Sequence, residues 1–348
     1  MKTASAVVTL TNPVSVLEAL RTHLAEHELV VEFDGQVASA NLPSGHATMR
    51  IEASMLELEV RAASESGLED VASFLASHVL EFAHPETPVI RWSGFQPSGT
   101  FADFREMKVV GVTELTPHMR RITLAGTDLR RFATDENLHV RLFFPAPGQP
   151  PVWPTRGEDG LERHIEPARQ PAVRKYTIRR IDLVTGTVDI DFLLHRDPGT
   201  GSDWAKNAKE GDMIGMAGPG GRGAQPADWL LLVGDETALP AIARILEGLA
   251  PGTEGMALIE VESEADKLPL THPRGFEIRW LHRAACAEGL AAAVSRIRVP
   301  THRKHFCWAG AEFETIQTIR RYWKEECGVA KWNQLAVPYW RRGRPEGE

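Results

Sequence analysis

Three consecutive segments of different character predict a multi-domain chain. A small α+β domain comes first, then an antiparallel Greek-key β-barrel, then an α/β domain built on a parallel sheet. Charge is partitioned: residues 1–95 hold 5 Lys/Arg and 13 Asp/Glu, so the whole net charge of −8 belongs to them. Residues 101–222 read as six short strands, most of them divided by turn signals. Residues 228–341 alternate continuous apolar runs with helical patterns, as expected of a parallel sheet covered on both faces.

Composition sets outer bounds. A chain of 348 residues has length for two or three domains, and 43% hydrophobic with 25% charged residues is ordinary for a globular protein. There is no basic stripe with interleaved aromatics, so nucleic acid is not an expected partner. No apolar run reaches the length of a membrane span, which argues against membrane insertion. The N-terminus has only the short apolar patch Ala6 to Leu10, which is not a signal peptide, and a cytoplasmic location is expected. Cys286, Cys307 and Cys327 match no zinc, haem or iron–sulfur spacing. Redox chemistry here would therefore need an organic cofactor.

In the first segment, Asn12-Pro13 starts a helix whose face carries Leu17, Leu20 and Leu24. Leu29 to Phe33 and Gln36 to Ala40 form a hairpin around Asp34-Gly35. His46 to Glu52 and Met55 to Arg61 form a second pair. Ser66-Gly67-Leu68-Glu69 reads as a capping box opening a second helix. The expected order is α-β-β-β-β-α over residues 1–95. His23, His27 and His78 lie on these helices without a third ligand at a diagnostic spacing, so no metal site is expected. Thr87 to Thr100 reads as a linker.

The barrel is expected over 104–222. Its strands are Val109 to Thr113, Met119 to Leu124, Leu138 to Phe144, Tyr176 to Ile181, Thr187 to Leu194 and Met213 to Met216. A loop from Pro145 to Pro171 carries seven prolines in 27 residues, a length that goes with function or mobility. The α/β domain, 228–341, has strands at Trp229 to Val233, Met256 to Val261, Glu277 to Leu281, His305 to Trp308 and Gln334 to Trp340. Helices are expected at Ala238 to Leu249, Cys286 to Ile297 and Glu312 to Glu326.

Three stretches carry candidate chemistry. Arg174-Lys175-Tyr176-Thr177 combines a guanidinium fork that suits phosphate, a flat ring with a polar tip, and a hydroxyl where a strand begins. Asp191-Phe192-Leu193-Leu194-His195 ends a strand. The turn Gly199-x-x-Ser202-x-Trp204-Ala205 then leads into a short helix, whose first amides suit an anion whether or not Ser202 also caps it. Gly234-Asp235-Glu236-Thr237-Ala238-Leu239-Pro240 lies where the first strand of the α/β domain meets its helix, the region in which such sheets bind ligands. Trp308-Ala309-Gly310-Ala311-Glu312 repeats that geometry at a later strand end.

Taken in order, R-x-Y-T, D-F-x-L-H, G-x-x-S-x-W-A and G-D-E-T-A-L-P-A-I resemble the siderophore-interacting protein family. That family contains vibriobactin-utilisation-like ferric-siderophore reductases and lies within the ferredoxin–NADP reductase superfamily. The resemblance covers about residues 104–341. The first 95 residues resemble a small uncharacterised domain sometimes fused ahead of this module, which brings no function with it.

The resemblance implies an FAD-binding barrel and an NAD(P)H-binding α/β domain. It implies that Arg174, Tyr176 and Thr177 contact the flavin and its phosphates. Asp191 and His195 would lie by the FAD, and Ser202, Trp204 and Ala205 would line the pyrophosphate turn. Asp235, Glu236, Thr237 and Ala238, with Arg283 and Gly310, would form the NAD(P)H side. The family turn is usually G-P-A-S-R-W-A, whereas this chain has GTGSDWA. Asp203 thus stands where a cation is usual, with Lys206 and Arg196 nearby to compensate.

The implied activity is reduction of a ferric siderophore by NADPH or NADH through FAD, with iron released as Fe(II). No acid–base catalytic residue is required. Cations expected at an entrance for an anionic chelate are Arg120, Arg121, Lys331, Arg341 and Arg342. Glu260 and Glu262 suit a ribose hydroxyl, Arg283 suits a 2′-phosphate, and the family leans to NADPH. A monomer is the default expectation. Two other readings stay open: a flavin-dependent electron donor to a protein partner, and a non-enzymatic module that binds ferric chelates.

Overall fold

The computed structural model describes residues 1–26, 29–94, 99–195, 199–285 and 289–343. His27, Arg196 and Cys286, singled out above, lie outside the described residues. The chain forms two compact units, one of residues 1–104 with 152–170, the other of 105–151 with 171–348.

The first unit begins with a strand that sequence reading did not anticipate. β1 (Lys2–Thr9) precedes α1 (Pro13–Glu26), β2 (Val31–Phe33), β3 (Val37–Leu42), β4 (Gly45–Glu52), β5 (Met55–Ala62) and α2 (Glu65–Phe82). The order is therefore β-α-β-β-β-β-α. β1 pairs antiparallel along its whole length with β5, from Lys2 opposite Ala62 to Thr9 opposite Met55. Its buried side are Ala4, Ala6 and Val8. Such small residues give a weak period-two signal, and the partner strand lies some fifty residues away. The sheet order is β1-β5-β4-β3-β2. Leu17, Leu20 and Leu24 of α1 and Leu68, Val71, Leu75 and Val79 of α2 join one buried cluster with the sheet.

Asn12 caps α1 as its sequence suggests, its Oδ1 accepting from the Ser15 amide at 3.0 Å. The capping box of α2 is different from expectation. Ser64 is the cap, accepting from the Gly67 amide at 3.1 Å. Glu69 turns inward to pair with Arg156, and both side chains are only 6% exposed. Its carboxylate also accepts from the Ala102 amide at 2.8 Å. Burial pushes the Glu69 carboxyl up, and the Ala102 amide and Arg156 oppose that. Arg156 belongs to the proline-rich segment, where β9 (Thr155–Arg156) and β10 (Glu162–Arg163) make a small hairpin. Trp92 fixes the same segment, its Nε1 donating to the Asp159 carbonyl and its amide to the Glu158 carbonyl.

In the second unit, six strands close a barrel: β6 (Phe104–Thr116), β7 (Met119–Ala125), β8 (Asn137–Phe144), β11 (Ala172–Asp182), β12 (Thr187–Leu193) and β13 (Met213–Arg222). Their order around it is β11-β12-β7-β6-β13-β8. α3 (Thr200–Asn207) lies between β12 and β13. The α/β part comprises β14 (Trp229–Gly234), α4 (Leu239–Glu247), β15 (Glu254–Val261), β16 (Phe276–His282), α5 (Gly289–Val294), β17 (His305–Glu312), α6 (Phe313–Arg321) and β18 (Gln334–Trp340). All its strands are parallel, in the order β16-β15-β14-β17-β18. The strand order reverses between β14 and β17, which makes their carboxyl ends the switch point. α4 packs on one face, in a cluster that includes Met119 and Leu138 of the barrel strands. α5 and α6 pack on the other. No described helix is long and apolar enough to cross a membrane.

Removing one partner of a buried ion pair strands the other charge. Arg156→Ala is expected to destabilise the first unit by about 3–5 kcal/mol, read as a lower denaturant midpoint. Arg91→Ala, whose pair with Glu158 is 74% and 62% exposed, is the control and should change it little.

Candidate functional site

The Arg174-Lys175-Tyr176-Thr177 stretch lies within β11, two residues after its start rather than upstream of it. Alternation therefore sorts it onto two faces. Arg174 and Tyr176 share a face with Ile178, which is fully buried in the barrel core. Lys175 and Thr177 share the other with Arg179.

On the barrel face, the Tyr176 ring sits 4.4 Å from Phe192 between centroids, with Phe144 edge-on at 6.1 Å. Trp204 completes the group, 5.5 Å from Phe144 and 5.7 Å from Phe192. Trp204 thus packs against the barrel, and Ala205 beside it is fully buried there. Gly201 in the first turn of α3 explains why the turn needs a glycine. A Cβ at that position would lie 2.1 Å from the Tyr176 hydroxyl oxygen. Sequence reading singled out Gly199 and Ser202 and passed over Gly201, whose need is set by a tyrosine on another strand.

α3 has Gly199 as its cap, without a side-chain bond. Ser202 is not the cap. Its Oγ accepts from the His195 amide at 2.9 Å and ties the end of β12 to the helix. The first-turn amides of α3 are therefore left without a side-chain cap, an arrangement that suits an anion. Asp203 is exposed, and Asn207 donates to its carbonyl at 2.8 Å. Arg174 donates through Nη1 to the Val173 carbonyl at 2.8 Å. Uncapped helix amides beside the Tyr176 ring, with Arg174 two residues earlier on the same strand face, fit a diphosphate joined to a flat ring.

The other predicted barrel residues are engaged locally. Asp191 stands opposite Arg121 in the β12–β7 register and receives both ends of its guanidinium, at 2.7 and 2.9 Å. That bidentate bond raises the Arg121 pKa, with burial opposing it. Arg120 pairs with Glu114 and donates to the Ala205 and Lys206 carbonyls at 2.8 and 2.7 Å, so it serves the last turn of α3. Both arginines, expected at a substrate entrance, are thus held by partners that sequence spacing does not reveal.

The second face of β11 meets the α/β part. Arg179 forms a bidentate pair with Glu247 of α4, at 2.8 and 2.5 Å. Arg244 of the same helix donates to the Ile178 carbonyl at 2.9 Å. The Thr177 side chain lies beside the hydroxyl of Tyr339 of β18. Tyr339 in turn shares a 2.7 Å hydrogen bond with His139 Nε2. Burial, with Lys175 and Arg244 nearby, pushes His139 down to about 4.

At the switch point Gly234 and Gly310 stand side by side in the β14–β17 register. β17 runs on to Glu312, so Gly310 lies inside the strand rather than at its end. A Cβ there would come within 2.9 Å of the Tyr339 ring and 3.1 Å of Ala238. Asp235 is buried, with one oxygen receiving the Thr237 amide at 2.9 Å and hydroxyl, and the other the Trp340 indole at 2.7 Å. Burial pushes its carboxyl up against those bonds. Thr237 does not cap α4, whose cap position is Ala238. Glu236 pairs with Arg283, which also reaches Glu262 at 2.7 Å and Glu260 at 3.3 Å.

His195 feels both sites: burial lowers its pKa, Asp235 and Glu236 raise it, and Arg283 lowers it. The C-terminal cations sit on other elements than Arg120 and Arg121. Arg341 lies over the Phe313 ring at 4.4 Å, the Arg342 amide donates to Glu312 at 3.2 Å, and Lys331 sits in a short turn before β18. Sequence reading missed a cation pair on the barrel: Arg141 stands directly opposite Lys175 in the β11–β8 register.

Three family models match the chain. Residues 108–223 match the siderophore-interacting FAD-binding domain, 227–343 the siderophore-interacting protein model, and 5–93 an uncharacterized protein family conserved in bacteria, DUF2218. The ferric vibriobactin reductase of Vibrio cholerae is 33% identical over 67% of this chain and 87% of its own length. An NADPH-dependent ferric-chelate reductase of Escherichia coli is 33% identical over 64% of this chain and 87% of its own. The siderophore-interacting protein structure from Aeromonas hydrophila aligns with TM-score 0.61 at 30% identity, covering 70% of this chain and 94% of that one. A ferredoxin–NADP+ reductase from Plasmodium falciparum aligns with TM-score 0.51 at 13% identity, covering 67% of this chain and 95% of that one, a likeness of fold alone.

His139 provides a pH test. Its folded pKa of about 4 lies below the ordinary 6.5, so the unfolded chain binds the extra proton between them. The stability it contributes is complete above pH 6.5 and is lost as pH falls toward 4. The denaturant midpoint of the wild-type chain should fall across that window more steeply than that of His139→Gln. Parallel curves would show that His139 is not the titrating group.

Proposed function

This chain belongs to the siderophore-interacting protein family, and we propose that it works as an FAD-dependent ferric-siderophore reductase drawing electrons from NAD(P)H. The observation that carries the reading is the two-faced strand β11. One face offers Tyr176 beside the uncapped first turn of α3, with Arg174 two residues before it, and the other meets the α/β part, with Thr177 beside Tyr339 of β18 near the switch point and Arg179 at the far end of α4. A flavin bound there would be within reach of a nicotinamide at the switch point.

Bound FAD would supply the chemistry: it takes two electrons from a reduced nicotinamide and passes them singly to ferric iron. The residues provide position and charge. Arg174 and the α3 amides hold the diphosphate as a fork and a helix terminus. Tyr176 presents a ring fixed by Phe192, Phe144 and Gly201, and Thr177 presents a hydroxyl. The loop from Asp235 to Ala238 and the two glycines of the switch point receive the nicotinamide nucleotide. Arg141 and Lys175 face an anionic ferric chelate, with Lys331, Arg341 and Arg342 as further cations of the same kind. Fe(II) binds hard oxygen donors more weakly than Fe(III), so reduction frees the metal. Release in the cytoplasm, where reduced nicotinamide is kept, is part of this reading.

The test is anaerobic. Purified protein with FAD and reduced nicotinamide is mixed with several ferric siderophores, and Fe(II) is trapped by a chromogenic chelator. Fe(II) well above the enzyme-free control is expected; none with any siderophore would refute the reading. Arg174→Ala should lose FAD on gel filtration while keeping the wild-type circular dichroism spectrum. Full flavin occupancy in that variant would remove Arg174 from the site.

A further inference from the structure

The carboxyl ends of β15 and β16 hold a charge arrangement that bears on which nucleotide the site accepts. Arg283 follows β16, and its amide donates to the Val261 carbonyl at 2.9 Å, so its side chain starts at the end of β15. All three nitrogen positions of its guanidinium are directed at different carboxylates: Nη2 at Glu236, Nη1 at Glu262 and Nε at Glu260. Glu236 and Glu260 are 7% and 14% exposed, so solvent screens these pairs little. The cluster therefore holds three carboxylates around one guanidinium.

The neighbouring cations are carboxylate-paired too. Lys267 meets Glu264 at 2.6 Å, and Arg279 meets Glu277 at 2.6 Å. After Arg283 the next Lys or Arg in the chain is Arg296. The end of the second strand of a nucleotide-binding sheet is where the adenosine ribose lies. A carboxylate there accepts from a ribose hydroxyl. A 2′-phosphate, with a charge of about −1.5 to −2, would have to enter among three glutamates and draw Arg283 away from them.

We propose that this site selects NADH over NADPH, and that Glu236, Glu260 and Glu262 set the choice by holding Arg283. The assignment rests on the reductase reading and deepens it, and it runs against the NADPH expected from family resemblance. The Escherichia coli relative is named as NADPH-dependent.

The test compares kcat/KM for NADH and NADPH in the FAD-loaded protein with one ferric siderophore. NADH is expected to be favoured at least tenfold. The double variant Glu260→Gln/Glu262→Gln should reduce that ratio at least tenfold, mainly by lowering KM for NADPH. Calorimetry gives a readout independent of turnover: ADP-ribose should bind the wild-type protein more tightly than 2′-phospho-ADP-ribose, and the variant should narrow the gap. Equal or better use of NADPH by the wild-type chain overturns the assignment while leaving the reductase reading intact. Oxidation of neither nucleotide by a flavin-loaded protein overturns the reductase reading, and this assignment with it.

Discussion

Side-chain alternation along β11 is the constraint on which the second unit depends. Ile178 must enter the barrel core, so Arg174 and Tyr176 follow it to that face. Thr177 and Arg179 are then committed to the opposite face, where Tyr339 and Glu247 meet them. A slip of one residue would reverse every one of these assignments. It would put Arg179 in an apolar core and leave Glu247 without its partner. The barrel core therefore fixes which residues of β11 lie toward the barrel and which toward the α/β part. α4 makes the second commitment firm, because its arginine also grips the strand backbone at Ile178.

A second layer of polar contacts secures the switch point. Asp235, buried beneath the loop after β14, is satisfied by Thr237 and by Trp340 from the last strand. Such a carboxylate is costly to bury unless its lone pairs are filled. Part of the cost is met by Trp340, 105 positions away in sequence, which ties β18 to the start of α4. Tyr339, next to Trp340, lies against Gly310 and reaches His139 on the barrel. Consecutive residues of one edge strand thus brace the nucleotide loop and the flavin-bearing barrel at once.

Much of the fold was legible in the sequence because its signals are local. Five apolar runs gave the parallel strands, and six alternating segments gave the barrel. What escaped was set by distant partners. β1 has alanines where a strand signal needs larger residues, and only β5 reveals it as a strand. Glu69 looks like the end of a capping box, yet it turns to a buried arginine in a far segment. The candidate residues could be named from the sequence, but their arrangement could not. Adjacent Arg120 and Arg121 look like a cation patch, but cross-strand register gives one to Glu114 and the other to Asp191. The same register brings together Arg141 and Lys175, which are thirty-four positions apart. Gly201 could have been found only by asking which aromatic ring its turn must approach.

The central claim is that one flavin, held by β11, receives electrons from the nucleotide sheet and delivers them to a ferric chelate. Anaerobic stopped-flow absorbance of the flavin tests it most directly. Reduced nicotinamide should bleach the bound flavin, and a ferric siderophore added in a second mixing step should restore its colour, with two ferric ions consumed per flavin. A flavin that bleaches but is not restored by any ferric chelate, while oxygen still restores it, would contradict the account.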